Sequence, residues 1–95
     1  MRTENTIFRR ACASVGSQVA MGRILRLSPC MVNQIVSGTR PLPAKYCAVI
    51  ERETGGQFLA QDLRPDKTWI RVPDANWPHP QGRPIAEDTH VSLVV

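Results

Sequence analysis

Ninety-five residues, 42% of them apolar and 5% aromatic, suffice for one small domain around a single, mainly aliphatic core. The formal net charge of +4 permits an anionic partner, and it is unevenly placed: residues 1–63 hold eight Lys and Arg against four acids, residues 64–95 four against four. No run approaches the roughly 18 apolar residues of a membrane span, and three cysteines, an odd count, give no disulfide framework.

The spacing predicts a first helix from Thr3 to Ser14, with Thr3 as its cap and Glu4 beside the positive end of its dipole. Ile7, Ala11, Ser14 and Val15 recur at helical intervals, Phe8 and Cys12 widen the stripe, and Arg9 and Arg10 lie off it. After Val15-Gly16, Ser17 caps a second helix that places Met21 and Leu25 on one face. Gly22 weakens that helix by about 1 kcal/mol relative to Ala, and it permits close approach of a neighbour. The pattern breaks at Arg26-Leu27 and restarts at Ser28, a cap, followed by Pro29, which fits a first helical position because no intrahelical N–H bond is lost there. Val32, Ile35 and Val36 then face inward, Pro29, Cys30, Asn33, Gln34 and Ser37 fall on other faces, and Gly38 ends the helix.

Pro41 and Pro43 hold the next connection extended, and Pro43 opens a fourth helix in which Cys47, Ile50 and Thr54 share a face and Gly55-Gly56 ends the run. Residues 57–63 read as a further helical turn or two anchored by Phe58, Leu59 and Leu63. From Asp66 onward Pro73, Pro78, Pro80, Pro84 and Gly82 oppose regular helix. Trp69–Val72 and Val91–Val95 are the strand-like runs. The expectation is a domain over 1–66 and a Pro-rich, extended, partly disordered tail over 67–95. Trp69 would dock on the helices, and the end of the tail would pair with another chain as an edge strand.

Ser17-Gln18, Met21, Gly22, Leu25, Leu27, Ser28 and Val32 follow the order of the helix-turn-helix of phage repressors and Cro proteins, with Arg26 at the turn position that is usually glycine. Arg40-Pro41-Leu42-Pro43, Cys47, Ile50-Glu51, Thr54-Gly55-Gly56 and the Asp62-Leu63-Arg64-Pro65-Asp66 run ahead of Trp69 extend the likeness over roughly Ile7 to Trp69. These residues resemble the YdaS-type, Cro-like regulators of prophages and toxin–antitoxin loci. The resemblance implies an all-α, lambda-repressor/Cro-like domain of about five short helices.

On such a domain the second helix of the motif enters the major groove. The resemblance then puts Pro29, Cys30, Met31, Asn33 and Gln34 at or near base edges, with Asn33 suited to a bidentate adenine contact and Gln34 to the same contact or to a phosphate. It puts Ser17, Gln18, Ser28, Ser37, Thr39, Arg40 and Lys45 at phosphates. Arg23 and Arg26 are even candidates for either phosphate contact or plain solvation. Cys12, Cys30, Cys47, His79 and His90 show no C-x-x-C or H-x-x-x-H spacing, so no metal and no cofactor are expected. Trp69 and Trp77 read as hydrophobic anchors. No acid or oxyanion donor orients a Cys/His pair, so neither catalytic residues nor an enzyme is expected.

The function expected from these readings is that of a sequence-specific repressor of Cro type, prophage-encoded, binding a double-stranded DNA operator as a homodimer and excluding polymerase or a competing phage regulator. The alternative is an antitoxin whose tail neutralises a co-encoded toxin while the helical part autoregulates the operon. With no continuous apolar stretch in the first sixteen residues to serve as a secretory signal, the expected compartment is a reducing bacterial cytoplasm, with no membrane partner and the nucleoid when bound.

Overall fold

The computed structural model describes residues 4–86, which form five helices and one two-stranded hairpin: α1 (Thr6–Ser14), α2 (Gln18–Leu25), α3 (Pro29–Val36), α4 (Ala44–Glu53), α5 (Ala60–Leu63), β1 (Trp69–Val72) and β2 (Arg83–Ala86). The architecture is an all-α helix-turn-helix domain with little strand. The chain divides between Leu42 and Pro43 into two compact units.

In the first unit α1 packs on α2 and α3, and α2 packs on α3. Phe8, Ala11 and Cys12 of α1, Met21 and Leu25 of α2, and Val32, Ile35 and Val36 of α3 are buried, as their helical spacing requires. The start of α1 differs from the sequence expectation. Asn5 rather than Thr3 caps it, its Oδ1 accepting the Phe8 N–H at 3.0 Å, and Asn is the stronger capping side chain. The Asn5 N–H donates to the Val36 carbonyl at 2.9 Å, which fixes the entry of α1 against the end of α3. With the helix starting at Thr6, the stripe runs through Phe8, Ala11 and Cys12; Ile7 and Val15 are half-buried and Ser14 is exposed.

The corner between α2 and α3 is built from local hydrogen bonds. Ser17 Oγ accepts the Ala20 N–H at 3.0 Å, Ser28 Oγ accepts the Met31 N–H at 3.2 Å, and Pro29 holds the first position of α3. Arg26 adopts the left-handed conformation (φ 60°, ψ 44°), and the Leu27 N–H returns to the Gly22 carbonyl at 2.8 Å to close the turn. An L side chain in this conformation costs about 1–2 kcal/mol, which glycine avoids. Arg26→Gly is therefore expected to stabilise the protein by about 0.5–1 kcal/mol in urea unfolding, after the greater unfolded-chain entropy of glycine is deducted. Gly22 has its own reason. A Cβ there would lie 2.9 Å from the Leu27 carbonyl oxygen and 3.4 Å from Val32 Cγ2, so the same turn that needs its carbonyl also leaves no room for a side chain.

At the other end of α3, Gly38 (φ 83°) takes the left-handed cap conformation, its N–H donating to the Ile35 carbonyl at 3.2 Å while the Thr39 N–H reaches back to Gln34 O at 2.9 Å. This pair of bonds ends the helix and turns the chain at once toward Arg40.

The second unit packs α4 against α5 and β2. Pro43 is the cap residue of α4 rather than its first turn. Cys47 and Ile50 are buried, and Thr54 closes the helix by donating its hydroxyl to the Ile50 carbonyl at 2.8 Å. Of the three anchors expected in 57–63, Phe58 and Leu63 are buried; Leu59 is only half-buried because it caps α5, and the adjacent Ala60 is fully buried instead. Of residues 69–86, read from sequence as extended chain, Trp69–Val72 and Arg83–Ala86 are extended as paired strands, and residues 73–82 form the turns that join them. The strands run antiparallel with Trp69 opposite Ala86, Ile70 opposite Ile85, Arg71 opposite Pro84 and Val72 opposite Arg83. Trp69 docks as expected, its Nε1 donating to the Arg64 carbonyl at 2.9 Å while its ring lines a small apolar cleft with Ala44 and Ala48 of α4. The strand-like run Val91–Val95 lies outside the described residues.

The centre of this unit is polar. Glu51 is 0% exposed, yet its carboxylate is fully partnered. Arg71 grips it with two bonds (Nη1 to Oε2 2.6 Å, Nη2 to Oε1 2.8 Å), the Ala60 N–H donates at 2.9 Å and Trp77 Nε1 at 2.6 Å. Arg71 in turn donates to the Gly82 carbonyl and to Gln61 Oε1, each at 2.8 Å. Burial by itself pushes the Glu51 carboxyl up, but the bonds from Arg71, Ala60 and Trp77 outweigh it and hold the group below the ordinary glutamate value. One carboxylate thus ties α4, the start of α5, β1 and the loop that carries Trp77.

Candidate nucleic-acid interface

Cys30, Gln34 and Ser37 follow one another at intervals of four and three along α3 and its cap, on the side opposite Val32, Ile35 and Val36. Cys30 and Ser37 are exposed and Gln34 is half-buried. Pro29 and Asn33 are exposed on one flank of this face, and Met31 is half-buried on the other. The five candidate base readers therefore all sit on the one helix that the Ser28 cap and the Arg26 turn hold at a fixed angle to α2.

The phosphate candidates fall into three groups. Ser17 and Ser28 have their hydroxyl oxygens engaged as helix caps, and Gln18 is the half-buried first residue of α2. Ser37, Thr39 and Arg40 gather just beyond α3: the Ser37 hydroxyl lies 3.2 Å from the Gln34 carbonyl and 3.0 Å from Thr39 Oγ1, and the exposed Arg40 donates its Nε–H to Gln34 Oε1 at 3.0 Å. Lys45 belongs to the second unit, where its ammonium stands 5.2 Å from the centre of the Tyr46 ring. Arg23 and Arg26 are exposed on α2 and its turn, whereas Arg9 is held by Glu4 at 2.9 Å.

The charge follows the division of the chain. Residues 1–42 carry six Lys and Arg and one acid; residues 43–95 carry six against seven acids. All of the net positive charge thus lies in the unit that contains α2 and α3. Among the described residues no group of three His, Cys, Asp or Glu could hold a metal ion. Cys12 and Cys47 are buried, and burial pushes their thiols up to about 11 and about 12, which keeps them protonated and unreactive at neutral pH. His90 lies outside the described residues. Among the described residues no helix is long and apolar enough to cross a membrane.

Two partnerships escaped the sequence reading. Glu51 sits beside Ile50 on the buried face of α4, a place where a glutamate signals a hidden cation, but its partner Arg71 is twenty residues away on a strand. Gln34 and Arg40 are six residues apart across the helix end, a separation that no helical rule pairs.

Capped helices at this spacing, with a left-handed corner and a polar face on the second of them, define the protein as a helix-turn-helix domain. It belongs to the YdaS family: residues 8–72 match the family described as "Bacterial toxin YdaS". The chain is 52% identical over 69 residues to the Escherichia coli (strain K12) protein named "Putative transcriptional regulator YdaS", an overlap of 73% of this chain and 70% of that protein. No solved structure matches it.

Proposed function

We propose that the protein is a sequence-specific, double-stranded DNA-binding transcriptional regulator that represses in the manner of Cro by occupying operator sites. The observation that carries this reading is the coincidence of the outward face of α3 with the unit that holds the whole positive excess. The relative's name as a transcriptional regulator supports it. Residues 1–66 act as the DNA-binding part. Pro29, Cys30, Met31, Asn33 and Gln34 meet base edges, and Ser17, Gln18, Ser28, Ser37, Thr39, Arg40 and Lys45 meet phosphates. Two copies bind half-sites about one helical turn, ~34 Å, apart, with residues 67–95 serving dimerisation or partner binding. The protein is non-enzymatic, prophage-encoded and works in the cytoplasm.

Selection of bound duplexes from a random DNA pool tests the proposal, because it reports site, symmetry and half-site spacing together. Asn33→Ala is expected to cost about 1–3 kcal/mol on the selected site and to relax the preference at a single base pair. Wild-type affinity and preference in that variant would show that α3 does not read the groove through Asn33.

The family's description names a toxin, the opposite role, and a second reading keeps the protein within such a toxin setting as an antitoxin that neutralises a co-encoded partner through its C-terminal segment. Removing residues 87–95 separates the two, because it spares every described element. Loss of neutralisation with operator binding intact assigns the partner to that segment.

A further inference from the structure

We infer that the first turn of α3 selects thymine by its 5-methyl group, through an apolar contact with Pro29 and Cys30 that involves no hydrogen bond. The inference rests on the DNA-binding reading above and names one base that this face chooses. The face changes character along its length. Asn33 and Gln34 put amides on the second turn, and Pro29 and Cys30 precede them by four residues each, so an apolar side chain lies one turn ahead of each amide on the same line of the helix. Both Pro29 and Cys30 are exposed. Pro29 is hydrocarbon throughout, and the thiol of Cys30 is only a weak donor and a weak acceptor.

The major groove offers such a surface one apolar partner. Guanine shows N7 and O6 there, adenine N7 and the N6 amine, cytosine the N4 amine, and thymine O4 beside a methyl group. A turn without strong donors or acceptors strips water from the polar edges of the other bases and leaves them unpaired, which weakens binding; against thymine it buries a methyl, which strengthens it. The two side chains also suit a close approach. Pro29 holds the first position of α3 with its φ fixed by the ring, and the Cys30 side chain ends one bond beyond Cβ, so the helix can come within the roughly 4 Å that apolar contact requires.

The test takes the duplex selected from the random pool and replaces each thymine in turn by deoxyuridine, which removes the methyl and keeps O4 and the base pairing. Wild-type affinity should fall about three- to fivefold at one thymine in each half-site. At that position cytosine should bind worse still, and 5-methylcytosine should recover part of the loss, because it returns a methyl to the same place. In a Pro29→Ser, Cys30→Ser double variant, thymine and deoxyuridine should bind alike. The base-analogue comparisons need only the wild type, so they decide the matter even where the variant binds no DNA. Equal wild-type affinity for thymine and deoxyuridine at every position would overturn the inference. So would a deoxyuridine loss that persists undiminished in the double variant, which would give the methyl contact to another residue. A wild type that selects no duplex at all would instead overturn the DNA-binding reading itself.

Discussion

Arg71→Ala is expected to destabilise the protein by about 3–5 kcal/mol, read as a lower urea midpoint with unchanged slope. The size comes from what remains. Glu51 stays at 0% exposure with two of its four bonds gone, and its charge is no longer countered inside the unit. Replacing Glu51 with Gln should cost less, because no unpaired charge is left on residue 51: its single amide oxygen keeps one of the two bonds that the carboxylate accepts on separate oxygens, from the Ala60 N–H on Oε1 or from Trp77 on Oε2, and Arg71 keeps the Gly82 carbonyl and Gln61. The pair also predicts a pH dependence. The folded-state value of Glu51 is depressed below the ordinary 4.5, so its contribution to stability is present above that pH and is lost as pH falls through the acid range toward the folded value. In Glu51→Gln that part of the acid loss should vanish. An Arg71→Ala protein as stable as the wild type would mean that water reaches Glu51 and that the hairpin is not held by this bond.

The helical part of this fold was open to reading because its determinants are local. Ser17, Ser28 and Pro29 announce helix starts, Gly38 and Gly55 announce helix ends, and each signal is realised within three or four residues of itself. The left-handed Arg26 was foreseeable as a strained position from the pattern alone, since the turn needs a positive φ regardless of which residue occupies it. The start of α1 was missed where two capping residues, Thr3 and Asn5, competed, and the difference was settled by a bond from Asn5 to Val36, thirty-one positions away.

The second unit was harder for the same physical reason. The Pro-rich composition of 67–86 correctly excludes helix, but it does not reveal pairing between Trp69–Val72 and Arg83–Ala86 across a ten-residue connection. Nor does it reveal that an arginine on the first strand completes a carboxylate on α4. The candidate interface divides likewise. Which helix carries the polar face follows from periodicity; the bond that holds Gln34 comes from Arg40, a residue beyond the helix end, and only the folded chain brings the two together.

The largest solution effect expected of the proposed complex is its salt dependence. Each phosphate neutralised on duplex DNA lowers the slope of log K against log salt by about 0.9. Arg23, Arg26 and Arg40 are the exposed cations on α2, its turn and the segment after α3, and each is exposed in the unit that holds the net positive charge. If each copy of a dimer engages these three, about six phosphates are neutralised and the slope is about −5, so raising salt from roughly 50 to 200 mM weakens binding by about 10³-fold. Arg40→Ala should flatten the slope by about one per engaged half-site, while Arg9→Ala, which removes a cation already paired with Glu4, should leave it near the wild-type value. Filter binding or fluorescence anisotropy across that salt range checks both. A slope near −1 would count against a complex in which α3 enters the major groove with these three arginines at the backbone.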